Sequence, residues 1–146
     1  MKNLLPGDLL ERGRVKWIIR IKHLNHGNLI TLYNGMTGSH PVYNSNKGWI
    51  KAKYYPGAKI VYTTDTVYDV ILDDATIGSM KVNGIDVAVV GFPVPDMVHP
   101  YWGSREIVDD VKLRYPDGGF VDVDARKFKF TNGLVSSLFP DDTINA

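Results

Sequence analysis

The sequence predicts a mostly β fold with little helix. Short runs of β-branched and aromatic residues recur along the chain, and turn residues punctuate them about every eight to twelve positions. Helical periodicity is sustained nowhere except over Ser104–Val111. Many short strands with regular turns indicate a small barrel or sandwich.

The first strong strand is the run Val15, Trp17, Ile18, Ile19 and Ile21, interleaved with Lys16, Arg20 and Lys22. The turn-like His26-Gly27-Asn28 and the run Asn28–Tyr33 make its expected hairpin partner. Met36–Lys47, rich in Gly, Ser, Asn and Thr, reads as a long loop. Strand-like runs at 48–55 and 59–64 follow, split by the turn signal Pro56-Gly57. Val67–Leu72 is the next strand. Met80–Val82, Asn83-Gly84 and Ile85–Val90 form a tight hairpin, because Asn-Gly tolerates the positive φ angles of a type I′ turn. Residues 92–104 hold Pro93, Pro95 and Pro100 and read as an irregular connection carrying His99, Tyr101 and Trp102. Val111–Tyr115 alternates as a strand, Pro116-Asp117-Gly118-Gly119 turns, and Phe120–Val123 returns. A strand with Phe128 and Phe130 comes next, and Leu134–Leu138 is expected to form a short helical turn. The runs group into a basic β segment at 1–64, an acidic β segment at 65–130 and a C-terminal tail at 131–146.

With 146 residues, 44% of them hydrophobic and 23% charged, the chain can build a packed core without metals or disulfides. Cysteine is absent, which removes disulfides, thiol catalysis and thiolate metal sites and fits a reducing compartment. The apolar run in MKNLLPGDLLERGR is short and broken by Pro6, unlike a signal peptide or a membrane span. A cytoplasmic location is therefore expected, nucleoid-associated in a bacterial host, with no membrane partner.

A net charge of +1 conceals a sharp division. Residues 1–60 carry ten bases against the two acids Asp8 and Glu11, giving +8, and residues 61–146 carry seven bases against fourteen acids, giving −7. Such asymmetry points to a polyanionic partner for the basic half. The alternative is that the halves fold together and neutralise each other.

On a strand, residues i, i+2 and i+4 share a face. Arg12, Arg14, Lys16, Arg20 and Lys22 share one parity, opposite Val15, Trp17, Ile19 and Ile21. Members two residues apart stand about 7 Å apart, close to the phosphate spacing of a single strand, and Ile18 interrupts the face as a bulge or a buried spot would. Lys51 and Lys53 share a parity with Trp49 and Tyr55, and aromatics beside lysines are what single-strand binders use for stacking. Trp17 belongs in the core, whereas Trp49 and the adjacent Tyr54 and Tyr55 admit either role.

Catalytic chemistry finds no constellation. His23 and His26 lie three apart at an expected hairpin end but have no third ligand near them in sequence, so a surface turn is favoured over a metal site. Asp122 and Asp124 share a strand face, a geometry used in acid–base or magnesium sites. The favoured reading makes that face the solvent side of a strand with Val121 and Val123 inward. No nucleophile elbow or glycine-rich phosphate loop occurs, and Gly35, Gly38 and Gly48 lack the required spacing. No enzyme, metal or cofactor is expected.

The stretch Leu5-Pro6-Gly7-Asp8-Leu9, then Gly13-Arg14-Val15 and a hydrophobic strand, resembles the opening of SH3-like barrels of the KOW and Tudor type. Val111–Val123 followed by Arg126-Lys-Phe-Lys-Phe130 resembles the later hairpin of that barrel. The resemblance covers about half the chain and implies two tandem barrels or one barrel with a large insertion. It extends to small early DNA-binding proteins of T4-like phages. Members of this superfamily commonly bind RNA, DNA or modified protein tails and seldom catalyse reactions.

The function expected from these features is non-enzymatic nucleic-acid binding, with DNA favoured over RNA. Arg12, Arg14, Lys16, Arg20, Lys22, Lys51 and Lys53 would contact phosphates, and Trp49 and Tyr55 would stack. One alternative is a protein-interaction module or inhibitor, phage-encoded, that engages a basic or host protein through Asp65, Asp69, Asp73, Asp74, Asp109 and Asp110. Another is a virion structural or assembly protein.

Overall fold

The structure is a computed structural model that describes residues 4–24, 28–31, 36–62, 66–74, 78–82, 84–94 and 99–139. Its strands are β1 (Leu9–Leu10), β2 (Gly13–Lys22), β3 (Asn28–Thr31), β4 (Met36–Thr37), β5 (Pro41–Asn44), β6 (Gly48–Lys51) and β7 (Lys59–Tyr62). They continue as β8 (Val67–Leu72), β9 (Ser79–Val82), β10 (Ile85–Ala88), β11 (Gly119–Asp124), β12 (Lys129–Thr131) and β13 (Leu134–Ser137), with the helix α1 at Arg105–Arg114. Strand residues far outnumber helical ones, so the fold is mostly β with little helix.

The strand β2 organises the chain because it is hydrophobic on both faces, as strands covered on both sides are. It pairs antiparallel with β8 (Ile18↔Val70, Ile21↔Val67) and parallel with β11 (Trp17↔Gly119 through Lys22↔Asp124). Trp17, Ile19 and Ile21 pack with Val121, Val123, Tyr101 and the helical residues Ile107, Val108 and Val111. Val15 and Ile18 pack on the other side with Val70, Leu72, Met36, Val42, Met80, Val82 and Val87. The central sheet is thus covered by α1 on one face and by the sheet β6-β5-β10-β9 on the other.

Pairing crosses the expected boundary at residue 64: β2 joins β8 and β11, and β5 joins β10. The two four-stranded sheets therefore each draw strands from both segments.

Several local expectations hold. The strand at Val67–Leu72 keeps its expected bounds. β9 and β10 pair as a hairpin (Val82↔Ile85) with Gly84 at φ +82°, while Asn83 lies outside the described residues. The Pro6-Gly7-Asp8 turn is present, with the Asp8 carboxylate accepting from the Leu5 amide at 2.9 Å.

Others are corrected. β3 pairs with β4 and β7 instead of with β2, whose neighbours are already β1, β8 and β11. The 36–47 stretch contains β4 and β5, and β5 turns into β6 where Asn44 Oδ1 accepts the amides of Asn46 and Lys47. Val111–Arg114 is the end of α1, not a strand. Ser104 caps the helix by accepting from the Glu106 amide, and Ile107 and Val111, four apart, are both buried. A strand would have buried Leu113 together with Val111, whereas Leu113 is 63% exposed. Leu134–Ser137 is a strand paired with β12, not a helical turn, because Asn132 and Gly133 adopt φ of +54° and +80° and close a hairpin.

Candidate nucleic-acid interface

The five-cation face of β2 is interrupted by a bulge. Val15 pairs with Leu72, but Trp17 pairs with the very next β8 residue, Ile71, so Lys16 is extra. Strand parity inverts there: Val15 packs in the same core as Ile18, while Trp17 packs in the other. Arg14, opposite Val15, and Arg20 and Lys22, in step with Ile18, consequently emerge on different faces of the sheet.

Most of these cations are committed inside the molecule. Arg12 Nη1 meets Asp86 Oδ1 at 3.0 Å and donates to Ser79 Oγ. Arg14 Nη1 donates to the Gly7 carbonyl at 2.6 Å, bracing the first turn. The Lys16 ammonium sits 5.7 Å from the Trp17 ring centre. Arg20 makes a two-pronged contact with Asp122, Nε to Oδ1 at 2.7 Å and Nη2 to Oδ2 at 2.8 Å. The two residues are register partners on β2 and β11, and the guanidinium also lies 3.9 Å from the Phe120 ring centre. The hydrogen bonds that the guanidinium donates to Asp122 raise the Arg20 pKa against the opposing effect of burial. Lys22 is exposed and forms no ion pair with a described residue.

The second group divides as well. β6 ends at Lys51, and Ala52–Tyr54 form a 3-10 turn with Ala52 fully buried, so parity does not run on to Lys53 and Tyr55. Lys51 and Lys53 are exposed, and the Lys53 ammonium lies 5.2 Å from the Tyr54 ring centre. Tyr55 is half-buried against the core that holds Val42 and Val87. Trp49 is held edge-on by Tyr43 (5.5 Å, 74°) and tilted against Phe92 (5.8 Å, 55°).

The exposed rings here are Tyr43, at 43%, and Tyr54, at 65%. The sequence reading missed Tyr43 because its surroundings, Ser39 to Asn46, look like loop. The alternation Pro41-Val-Tyr-Asn44 across from Gly48-Trp-Ile-Lys51 was the available signal.

The acidic partners are arranged to neutralise. Asp124 is held well below the usual carboxylate range by the hydrogen bond from Arg126, and His23 Nδ1 stands 3.3 Å away. His26 lies outside the described residues, and among the described residues no three metal-ligating side chains converge. Val121 and Val123 are buried behind Asp122 and Asp124, as the inward-facing reading has it. Of the acids proposed for a protein partner, Asp65 lies outside the described residues. Asp69 is turned inward 3.8 Å from His40 Nδ1, and burial raises its pKa. Asp110 accepts from the buried Tyr101 hydroxyl at 2.7 Å. His99 fastens the connection it stands in, its Nδ1 accepting the amides of Tyr101 and Trp102 at 3.1 Å each.

No protein-family model matches the sequence, and no curated protein matches it.

Proposed function

We propose that this chain is a non-enzymatic nucleic-acid-binding protein that contacts phosphates through its basic N-terminal half, with little sequence specificity and with DNA favoured over RNA. The observation that carries this reading is the lysine-rich segment from Lys47 to Lys59. Lys47, Lys51, Lys53 and Lys59 are all exposed there, none is ion-paired to a described carboxylate, and no acidic residue occurs between Glu11 and Asp65. Exposed lysines that are not neutralised bind phosphate by releasing counterions, which needs no base-edge contact and reads no sequence.

The test is fluorescence anisotropy with labelled single-stranded DNA, duplex DNA and RNA over a range of salt. The double variant Lys51→Glu, Lys53→Glu carries its changes on exposed side chains, so the fold is retained. Binding should weaken at least tenfold, and the slope of log affinity against log salt should flatten by about two contacts. Wild-type affinity and slope in the variant would overturn the assignment.

A further inference from the structure

The outer face of the sheet β6-β5-β10-β9 carries an ordered row of side chains. Trp49 is paired with Tyr43, Val42 with Val87, and Asp86 with Lys81. The Val42–Val87 register sets Tyr43 opposite Asp86, so Trp49, Tyr43, Asp86 and Lys81 form one line across four strands. Residues alternate faces, and the inner positions Val42, Ile50, Val82 and Val87 all pack in the core. Lys51, two residues on from Trp49, stands at the corner of this line. At strand separations of about 4.8 Å the row is roughly 14 Å wide.

We infer that this face is a stacking platform for single-stranded nucleic acid, with Tyr43 and Trp49 receiving bases and Lys51 holding phosphate beside them. The inference rests on the nucleic-acid-binding reading above and assigns it a place and a strand type. Three features support it. The rings are pre-arranged: Phe92 and Tyr43 hold Trp49 from two sides, so little side-chain freedom is lost on binding. Charge is complementary to phosphate: Asp86 is shared by Arg12 at 3.0 Å and Lys81 at 3.2 Å, so the one carboxylate in the row is outweighed by cations. Finally, an exposed ring on a sheet face gains contact only from a base whose π-face is free, which a duplex conceals within its own stack.

The experiment compares oligodeoxythymidylate of about a dozen nucleotides, its duplex with oligodeoxyadenylate, and inorganic polyphosphate of matched charge, at fixed salt. Wild type should bind the single strand more tightly than either competitor. Tyr43→Ala should lose roughly tenfold for the single strand and nothing for polyphosphate, while Tyr43→Phe retains binding, because stacking needs the ring and not the hydroxyl. Tyr43 is surface-exposed, and matching thermal unfolding of variant and wild type confirms the fold. Unchanged single-strand affinity in Tyr43→Ala, or polyphosphate bound as tightly as the oligonucleotide, would overturn the platform while leaving phosphate binding intact. Binding to none of the three probes would overturn the nucleic-acid reading itself. Binding to a neutral oligosaccharide in their place would overturn both.

Discussion

Breaking the contact between Arg20 and Asp122 separates a structural arginine from a ligand-binding one. The relevant variants are Arg20→Ala, Asp122→Ala and the double replacement. The bidentate geometry, at 2.7 and 2.8 Å, favours a strong pair. Solvent opposes it, because the side chains are 33% and 52% exposed, and pairs this solvated contribute about 0.5–1 kcal/mol. Arg20 also loses its position over the Phe120 ring at 3.9 Å, worth about 0.5–1 kcal/mol more. Arg20→Ala should therefore cost about 1.5 kcal/mol and Asp122→Ala about 0.8 kcal/mol, with a coupling energy of about 0.5–1 kcal/mol in the cycle. Urea unfolding followed by circular dichroism measures all three, and in a chain of this size Arg20→Ala should lower Tm by about 4–6 °C. Because its guanidinium is already occupied, Arg20→Ala should leave oligonucleotide affinity within about twofold of wild type. Strict additivity in the cycle, or a salt slope reduced by one contact in Arg20→Ala, would refute this account of the residue.

Two further outcomes follow from the fold. Gly118 adopts φ +84°, and a Cβ there would lie 2.7 Å from the Lys16 carbonyl oxygen. Gly118→Ala should thus destabilise by about 2 kcal/mol or more, read as a lower urea midpoint with unchanged m; a wild-type midpoint would contradict the close approach of this turn to β2. His99 accepts two amides at Nδ1, and burial lowers its pKa below the ordinary 6.5. The stability it contributes is present above that ordinary value and is lost as pH falls through the lowered one. Wild type should therefore lose more stability than His99→Asn between about pH 7 and pH 4, and parallel pH profiles would show that the ring nitrogen does not carry the connection.

What the sequence determined by itself was local. Runs of β-branched and aromatic residues marked β2 and β8, and glycine marked the backbone positions with φ above zero at Gly7, Gly57 and Gly84. The Asn132-Gly133 turn is equally local, but it stands beside a short apolar run that also suits a helical turn. These features are set within a few residues by sterics and by side-chain alternation.

Partnership is different. Nothing in Gly13–Lys22 states that its neighbours are Val67–Leu72 and Gly119–Asp124, since a strand's hydrogen-bonding edges are the same whatever its sequence. The bulge at Lys16 has no glycine or proline to announce it, and it alone decides which cations share a face. Val111–Arg114 satisfies both a strand and a helix pattern until the burial of Ile107 against the central sheet chooses the helix. For the same reason Arg20 reads as a free phosphate contact in the chain and becomes half of a cross-strand pair in the fold. The charge of +8 was legible in sequence, but only the tertiary structure decided which of those charges were already answered, because that depends on which distant carboxylate a strand register brings alongside.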